Sequence, residues 1–250
     1  MKATELIWHA ANATNPGGTV DLGSKDIDIP TMVGTLNRAI DKFVCAVAPY
    51  VDYDNKATLW INDLKCTEVK LKKKKSGAEF DRFELPEDYV NIITARVWAE
   101  KEVTYKGADG KQKTKICKAK FAANPIKGKS KDEARQTKYW RGNFSYRQAW
   151  LEFDKDGLKI YHDGDFKITK LKVSYVKCHE KIQAASLVRN EGGVGYIYAD
   201  GTDVTADTNL CLGKGAYDEI IHIYSVLNGG DVNEVQLELL KKRYFETIRI

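Results

Sequence analysis

His162, Asp163 and Asp165 fall within four consecutive positions, a set that could ligate a metal ion or move a proton. The same stretch contains Asp163-Gly164, a pair suited to a tight turn because both residues accept the left-handed backbone. The turn is the stronger reading, since it employs both residues without any distant partner. Cys178-His179-Glu180 brings a thiol, an imidazole and a carboxylate together along the chain. A cysteine nucleophile, however, needs a base positioned by the fold, which adjacency does not supply. His9 and His222 fall on helical patterns, where packing or surface roles are the rule. Glu84, Glu87 and Asp88 precede a strand with no partner constellation for acid–base work. Gly192-Gly193-Val194-Gly195 lacks the Lys-Ser/Thr and the strand-to-helix setting of a phosphate cradle, and reads as a flexible loop. Neither G-x-S-x-G nor H-E-x-x-H occurs. These residues therefore predict no catalytic, cofactor-binding or metal site, and a protein that is not an enzyme. A hydrolase using Cys178, His179 or the His162–Asp163 region stands as a distant alternative.

With chemistry set aside, charge becomes the informative property. The 250 residues carry 40 Lys and Arg against 35 Asp and Glu, a formal charge of +5. Lys65, Lys70 and the run Lys72, Lys73, Lys74, Lys75 form one basic cluster opposed only by Glu68. Between Lys101 and Arg141 there are 13 basic residues and 4 acidic ones. Such clusters can meet nucleic acid or an acidic protein surface, although solvated strands and an exposed loop are the plainer reading. The lysines are not interleaved with exposed aromatics, as a single-strand-binding platform requires. A basic nucleic-acid-binding module is accordingly the alternative function. Five cysteines, odd in number, widely spaced and without a C-x-x-C pair, read as reduced thiols in a reducing cytoplasm. The longest apolar runs, Phe43 to Ala48 and Ile220 to Leu227, fall well short of the roughly 18 residues of a membrane span. Glu5 and His9 interrupt any secretory signal, so no membrane partner is expected.

The elements that must carry these residues alternate between two periods. Thr4 to Ala13 predicts a short helix ending at Asn15-Pro16-Gly17-Gly18. Asp26 to Pro30 reads as an extended connector, and Thr31 opens a second helix with Val33, Leu36, Ile40, Phe43, Val44 and Val47 on one face and Pro49 at its end. From Thr58 to Val176 the period becomes two, beginning with Leu59 and Ile61 and continuing with Val69 and Leu71. Tyr89 to Tyr105 predicts a long strand, and Ala108-Asp109-Gly110 turns it into a lysine-rich return strand, Thr114 to Phe121, placed at a sheet edge. Asp156-Gly157 and Asp163-Gly164 separate Trp150 to Phe153, Leu158 to Tyr161 and Phe166 to Val176, with a slip between Ile168 and Leu171. The expectation is an antiparallel meander. Asn124 to Tyr139 reads as a long loop, with one short helix possible at Lys131 to Lys138, and Glu191 to Gly201 as a second loop or hairpin. Ile220 to Leu227 and the stripe Val232, Val235, Leu239, Leu240, Tyr244 predict two helices joined at Asn228-Gly229-Gly230, with Asp231 and Glu234 in a capping box.

The predicted class is α+β: a central, mostly antiparallel sheet, meander or sandwich-like, with N-terminal helices and a C-terminal helical hairpin. Residues 1–50 form the N-terminal helical part, 57–212 the β-rich part with a long basic loop at 122–140, and 216–250 the hairpin. The hairpin is expected to pack with the N-terminal helices in one composite domain.

The succession of pieces carries a resemblance. Leu36-Asn37-Arg38-Ala39-Ile40 lies on the second helix, and Phe83-Glu84-Leu85-Pro86-Glu87-Asp88-Tyr89-Val90 enters the long strand. Lys170-Leu171-Lys172-Val173-Ser174-Tyr175-Val176-Lys177 closes the sheet, and Tyr217-Asp218-Glu219-Ile220-Ile221 leads into the last helices. This layout resembles the ring and head-to-tail connector (tail adaptor) proteins of short-tailed bacteriophages, most closely those of crAss-like phages. The resemblance implies a structural virion protein, made in the host cytoplasm, that forms a closed homo-oligomeric ring of twelve copies beneath the portal. Such a ring extends the DNA channel and docks further tail proteins. Its implied partners are itself, the portal protein, other tail rings, and DNA passing through the lumen without sequence-specific binding. Lys72, Lys73, Lys74, Lys75, Lys127, Lys129, Tyr196 and Tyr198 are the expected contacts to neighbouring subunits or rings. A lumen lined with these lysines would retard the DNA, so they are expected outside the channel.

Overall fold

A computed structural model describes residues 1–14, 28–126, 142–155, 157–184 and 207–228. The chain divides into two compact units, one of Met1–Lys65 with Lys177–Ile250 and the other of Cys66–Val176.

The first unit is helical. Helix α1 spans Ala3–Thr14 and buries Leu6, Ile7, Ala10 and Ala11 on one face. Helix α2, Ile29–Val47, begins two residues before the predicted Thr31, because the Asp28 carboxylate accepts from the Thr31 amide at 3.3 Å and Pro30 suits the first turn. Its buried stripe of Val33, Leu36, Ile40, Phe43, Val44 and Val47 is the predicted one. Helix α3, Asn55–Ile61, occupies the place where the alternation of Leu59 and Ile61 predicted a strand. Two apolar residues are too few to establish a period. Asp54 caps the segment by accepting from the Lys56 amide at 2.8 Å, and the residue the alternation turned outward, Trp60, is buried against Phe43 at a ring separation of 5.6 Å. Leu59 is 72% exposed instead. Helix α4, Ala216–Asn228, packs on α1 and α2 through Ile220, Ile223 and Tyr224. The second helix of the predicted C-terminal hairpin lies outside the described residues. Among the described residues no helix is long and apolar enough to cross a membrane.

The second unit is an eight-stranded, mostly antiparallel sheet. Its strands are β1 (Lys65–Leu71), β2 (Lys73–Ser76), β3 (Phe80–Phe83), β4 (Tyr89–Lys106), β5 (Gln112–Pro125), β6 (Ala149–Asp154), β7 (Gly157–Tyr161) and β8 (Lys167–Lys177). The order is β1-β8-β4-β5-β6-β7-β3-β2. Local hairpins fall where the Asp-Gly turns placed them: β4 pairs with β5 around Gly110, which has φ 74°, and β6 with β7. A simple meander is not what forms, however. β6 runs parallel to β5 at Ala123–Pro125, β3 joins β7, and β8 inserts between β1 and β4. Turn chemistry governs only neighbours in sequence, whereas these pairings are non-local. The lysine-rich stretch expected at a sheet edge, Thr114 to Phe121, pairs among the described residues with β4 alone. β6 covers β5 only at Ala123–Pro125, and Gln112–Ala122 lies beyond that pairing. The core runs through Val97, Ala99, Phe121, Leu151, Ile160, Phe166, Leu171 and Val173. Two residues separate the buried Ile168 from the buried Leu171, the slip read from the sequence.

Candidate functional site

The lysine run and the Leu-Pro-Glu-Asp-Tyr phrase, far from diagnostic by themselves, meet at one groove of about 730 Å³ in the sheet unit. Lys70, Lys72, Lys74 and Lys155 line it together with the carboxylates of Glu84, Glu87 and Asp154 and the apolar Leu85, Pro86 and Tyr89. The Glu84 amide donates to the Lys72 carbonyl at 2.9 Å, which ties the segment to the end of β1. Lys74 lies 3.6 Å from the Glu84 carboxylate, and the Tyr89 ring stacks on Phe153 at 6.2 Å. Apolar side chains set among charges of both signs have the mixed composition of a protein-contacting surface.

Of the four lysines in the run, Lys72, Lys74 and Lys75 are exposed. Lys73 turns inward: its ammonium donates to Asp81 Oδ2 at 2.7 Å and lies 5.7 Å from the Phe83 ring centroid. Burial opposes ionisation of Asp81, but His162 and Lys73 overcome it and hold the carboxyl below the usual carboxylate range. Lys73 is the direct partner; His162 Nε2 stands 3.9 Å from the other oxygen of Asp81. Lys127, Lys129, Tyr196 and Tyr198 lie outside the described residues, as do the basic loop from 127 to 141 and Gly192-Gly193-Val194-Gly195.

Several of the residues that could have done chemistry are held in structural hydrogen bonds and ion pairs. The Asp163 carboxylate accepts from the Asp165 amide at 3.0 Å and from the Asn143 side chain at 3.1 Å, and Gly164 takes φ 81°, so the stretch is a turn. Asp165 pairs with Lys101 at 3.1 Å. His162 Nδ1 accepts from the Gly164 amide at 3.1 Å. His179 is a bracket between segments: its Nδ1 bonds the Glu180 carbonyl and its Nε2 accepts from the Cys211 amide at 3.3 Å. Burial lowers its pKa, against the opposing pull of Glu180 and Asp41. With both nitrogens engaged, the ring has no free position from which to activate Cys178. His9 and His222 are exposed on α1 and α4. Among the described residues no group of three His, Cys, Asp or Glu could hold a metal ion.

Two surfaces escaped the sequence reading. The first surrounds Trp98 on β4, whose ring centroid lies 4.7, 5.3 and 5.4 Å from the ammonium groups of Lys120, Lys170 and Lys172. Lys172 also donates to Glu68 at 2.6 Å, which lowers the pKa of that carboxyl, and Lys118 pairs with Glu100 at 3.2 Å. The signal was present as alternation (Arg96-x-Trp98-x-Glu100, Lys118-x-Lys120, Lys170-x-Lys172), but only strand order puts the three runs on one face. The second is the distal part of the β4–β5 ribbon, where residues 102–106 and 111–116 are all exposed. Val103, Tyr105 and Ile116 are the large apolar residues there.

Charge is also segregated between the two units. Met1–Lys65 with Lys177–Ile250 holds 14 Lys and Arg against 19 Asp and Glu, a net −5. Cys66–Val176 holds 26 against 16, a net +10. In comparisons with known proteins, no family model matches the chain and no curated protein matches its sequence.

Proposed function

We propose that this chain is a non-enzymatic structural protein that assembles as a ring in the head-to-tail connector of a short-tailed, crAss-like phage. In this reading it sits beneath the portal, extends the DNA channel and docks further tail proteins. The observation that carries the assembly part of the reading is the charge segregation, −5 on one unit and +10 on the other. A subunit with opposite charge on its two units attracts a second copy in a head-to-tail sense and repels it in the like-to-like sense. Head-to-tail contacts close into rings when the rotation per subunit allows. The position under the portal, the twelvefold count and the virion setting rest on the resemblance of the chain's layout to the connector family. The groove that joins Lys72 and Lys74 to Leu85 and Pro86 supplies a surface for the adjoining ring.

Negative-stain imaging and light scattering of the purified chain, alone and with a portal ring, test the proposal. Particles of fixed copy number that stack on the portal support it. Reversing the charge of Lys72, Lys74 and Lys75 to Glu is expected to abolish stacking and to leave DNA passage unaffected. Complete, infectious particles built without the protein would end the proposal.

The Trp98 face favours a second reading, a nucleic-acid-binding module, because lysines around an aromatic ring suit phosphates and bases. Salt-dependent binding of DNA by the monomer, weakened by Trp98→Ala, would favour it over the ring.

A further inference from the structure

The outer half of the β4–β5 ribbon has a face whose composition differs from the rest of the surface. Register pairs Val103 with Lys115 and Tyr105 with Lys113. Residues directly opposite in an antiparallel pair share a face, so these four side chains stand together. By the two-residue period they continue the face on which Val97 and Ala99 are buried in the sheet core, at 0% and 1% exposure. Val103 and Tyr105, by contrast, are 39% and 47% exposed. Glu102 pairs with Ile116 and belongs to the opposite face, so no carboxylate of the ribbon pairs stands among these four. Lys113 is partnered by Asp109 at the turn, at 3.2 Å, whereas Lys115 has no ion pair among the described residues.

We propose that copies of this chain join head to tail through this face, the Val103, Tyr105, Lys113 and Lys115 side of one ribbon seating on the acidic unit of the next copy. The inference rests on the ring reading above and names its contact surface. An apolar centre with a cationic margin has the composition of a protein-binding patch, in which the apolar part is buried and the charges select the partner. Charge complementarity identifies that partner. A second basic unit, at +10, is repelled, and the unit of opposite sign, at −5, belongs to the same chain. Donor and acceptor surfaces are thus different, which makes the contact heterologous and able to propagate around a ring. Duplex DNA would satisfy the lysines but keeps its bases stacked within the helix, so Val103 and Tyr105 would face a sugar–phosphate backbone that offers them little apolar surface.

The test uses the full-length chain in three forms: wild type, Val103→Ser with Tyr105→Ser, and Lys113→Glu with Lys115→Glu. All four positions are exposed, so circular dichroism of the variants is expected to match the wild type. Sedimentation velocity is expected to show self-association of the wild type that weakens about tenfold between about 0.05 M and about 0.5 M salt. Each double variant is expected to associate at least about tenfold more weakly. A photo-crosslinking phenylalanine analogue at position 105 is expected to label peptides from Met1–Lys65 or Lys177–Ile250 of another copy. Association that persists unchanged in both variants, or crosslinks from one ribbon to another, overturns the docking and leaves the ring reading standing. Crosslinks that move to added duplex DNA overturn it in favour of the nucleic-acid reading. A wild type that stays monomeric up to about 1 mM overturns the docking, and the ring reading is then decided by assembly on the portal ring.

Discussion

Replacing Asp81 by Asn removes one charge from the interior of the sheet unit while keeping the shape of the side chain. The Asp81 side chain is 4% exposed, and its oxygen stands 2.7 Å from the Lys73 ammonium. At that distance two unit charges attract by about 6 kcal/mol at an effective dielectric constant of about 20. Desolvation of the two ions cancels several kcal/mol of this. Breaking a fully buried pair costs about 3–5 kcal/mol, but Lys73 is 31% exposed and its ammonium can reach water, so the expected loss is nearer 2 kcal/mol. The acid limb of stability gives an independent reading. Because the folded carboxyl is held below its usual value, its contribution is present above about pH 4 and is lost as the pH falls through the folded pKa. Asp81→Asn should therefore flatten the stability profile below about pH 4 as well as lower it at neutrality. Urea unfolding at several pH values, with hydrogen exchange read on β2 and β3 peptides, measures both effects. The double variant Lys73→Met with Asp81→Asn is expected to recover part of the loss, since it leaves no unpaired charge. A single variant within about 0.5 kcal/mol of wild type at neutral pH would refute the reasoning, as would an unchanged acid limb. It would also return Lys73 to the docking role that its place in the lysine run implies.

Two further outcomes are expected in the helical unit. Asn37 on α2 accepts from the Ile182 amide at 2.8 Å and donates to the Ile182 carbonyl at 3.3 Å; Asn37→Ala should cost about 1–3 kcal/mol by thermal unfolding, and a shift under about 0.5 kcal/mol would show the bracket to be idle. His179 is held neutral by burial, so on acidification below about pH 6.5 the unfolded chain takes up its proton before the folded one does, and stability should fall. An NMR titration placing the folded His179 at or above its ordinary value would contradict this.

Much of the candidate site could be read from residue order, though not its geometry. The Lys72–Lys75 run and the Leu85-Pro86 phrase were each visible in the sequence, and the groove between them required β1, β2 and the strand entry at Tyr89 to be brought side by side. A run of four lysines gives no sign of which one turns inward. Lys73 does so because it pairs with Phe83, and Asp81, two residues away on β3, lies on the same face within reach of its ammonium. The Asp163-Gly164 turn was legible because a turn needs only its own residues. The strand predicted at Leu59 failed because three residues cannot distinguish a period of two from one turn of a helix, and the Asp54 cap decided the matter.

The sequence by itself determined the features whose causes lie within a few residues. These are the buried stripe of α2, the caps, the β4–β5 and β6–β7 hairpins, and the uneven placing of charge along the chain. Tertiary structure alone decided that β8 lies between β1 and β4, that β6 runs parallel to β5, and that Lys120, Lys170 and Lys172 converge on Trp98. Alternation says which residues of one strand share a face. Which strand lies alongside is chosen by burial and hydrogen bonding summed over the whole sheet, and no local pattern records that sum.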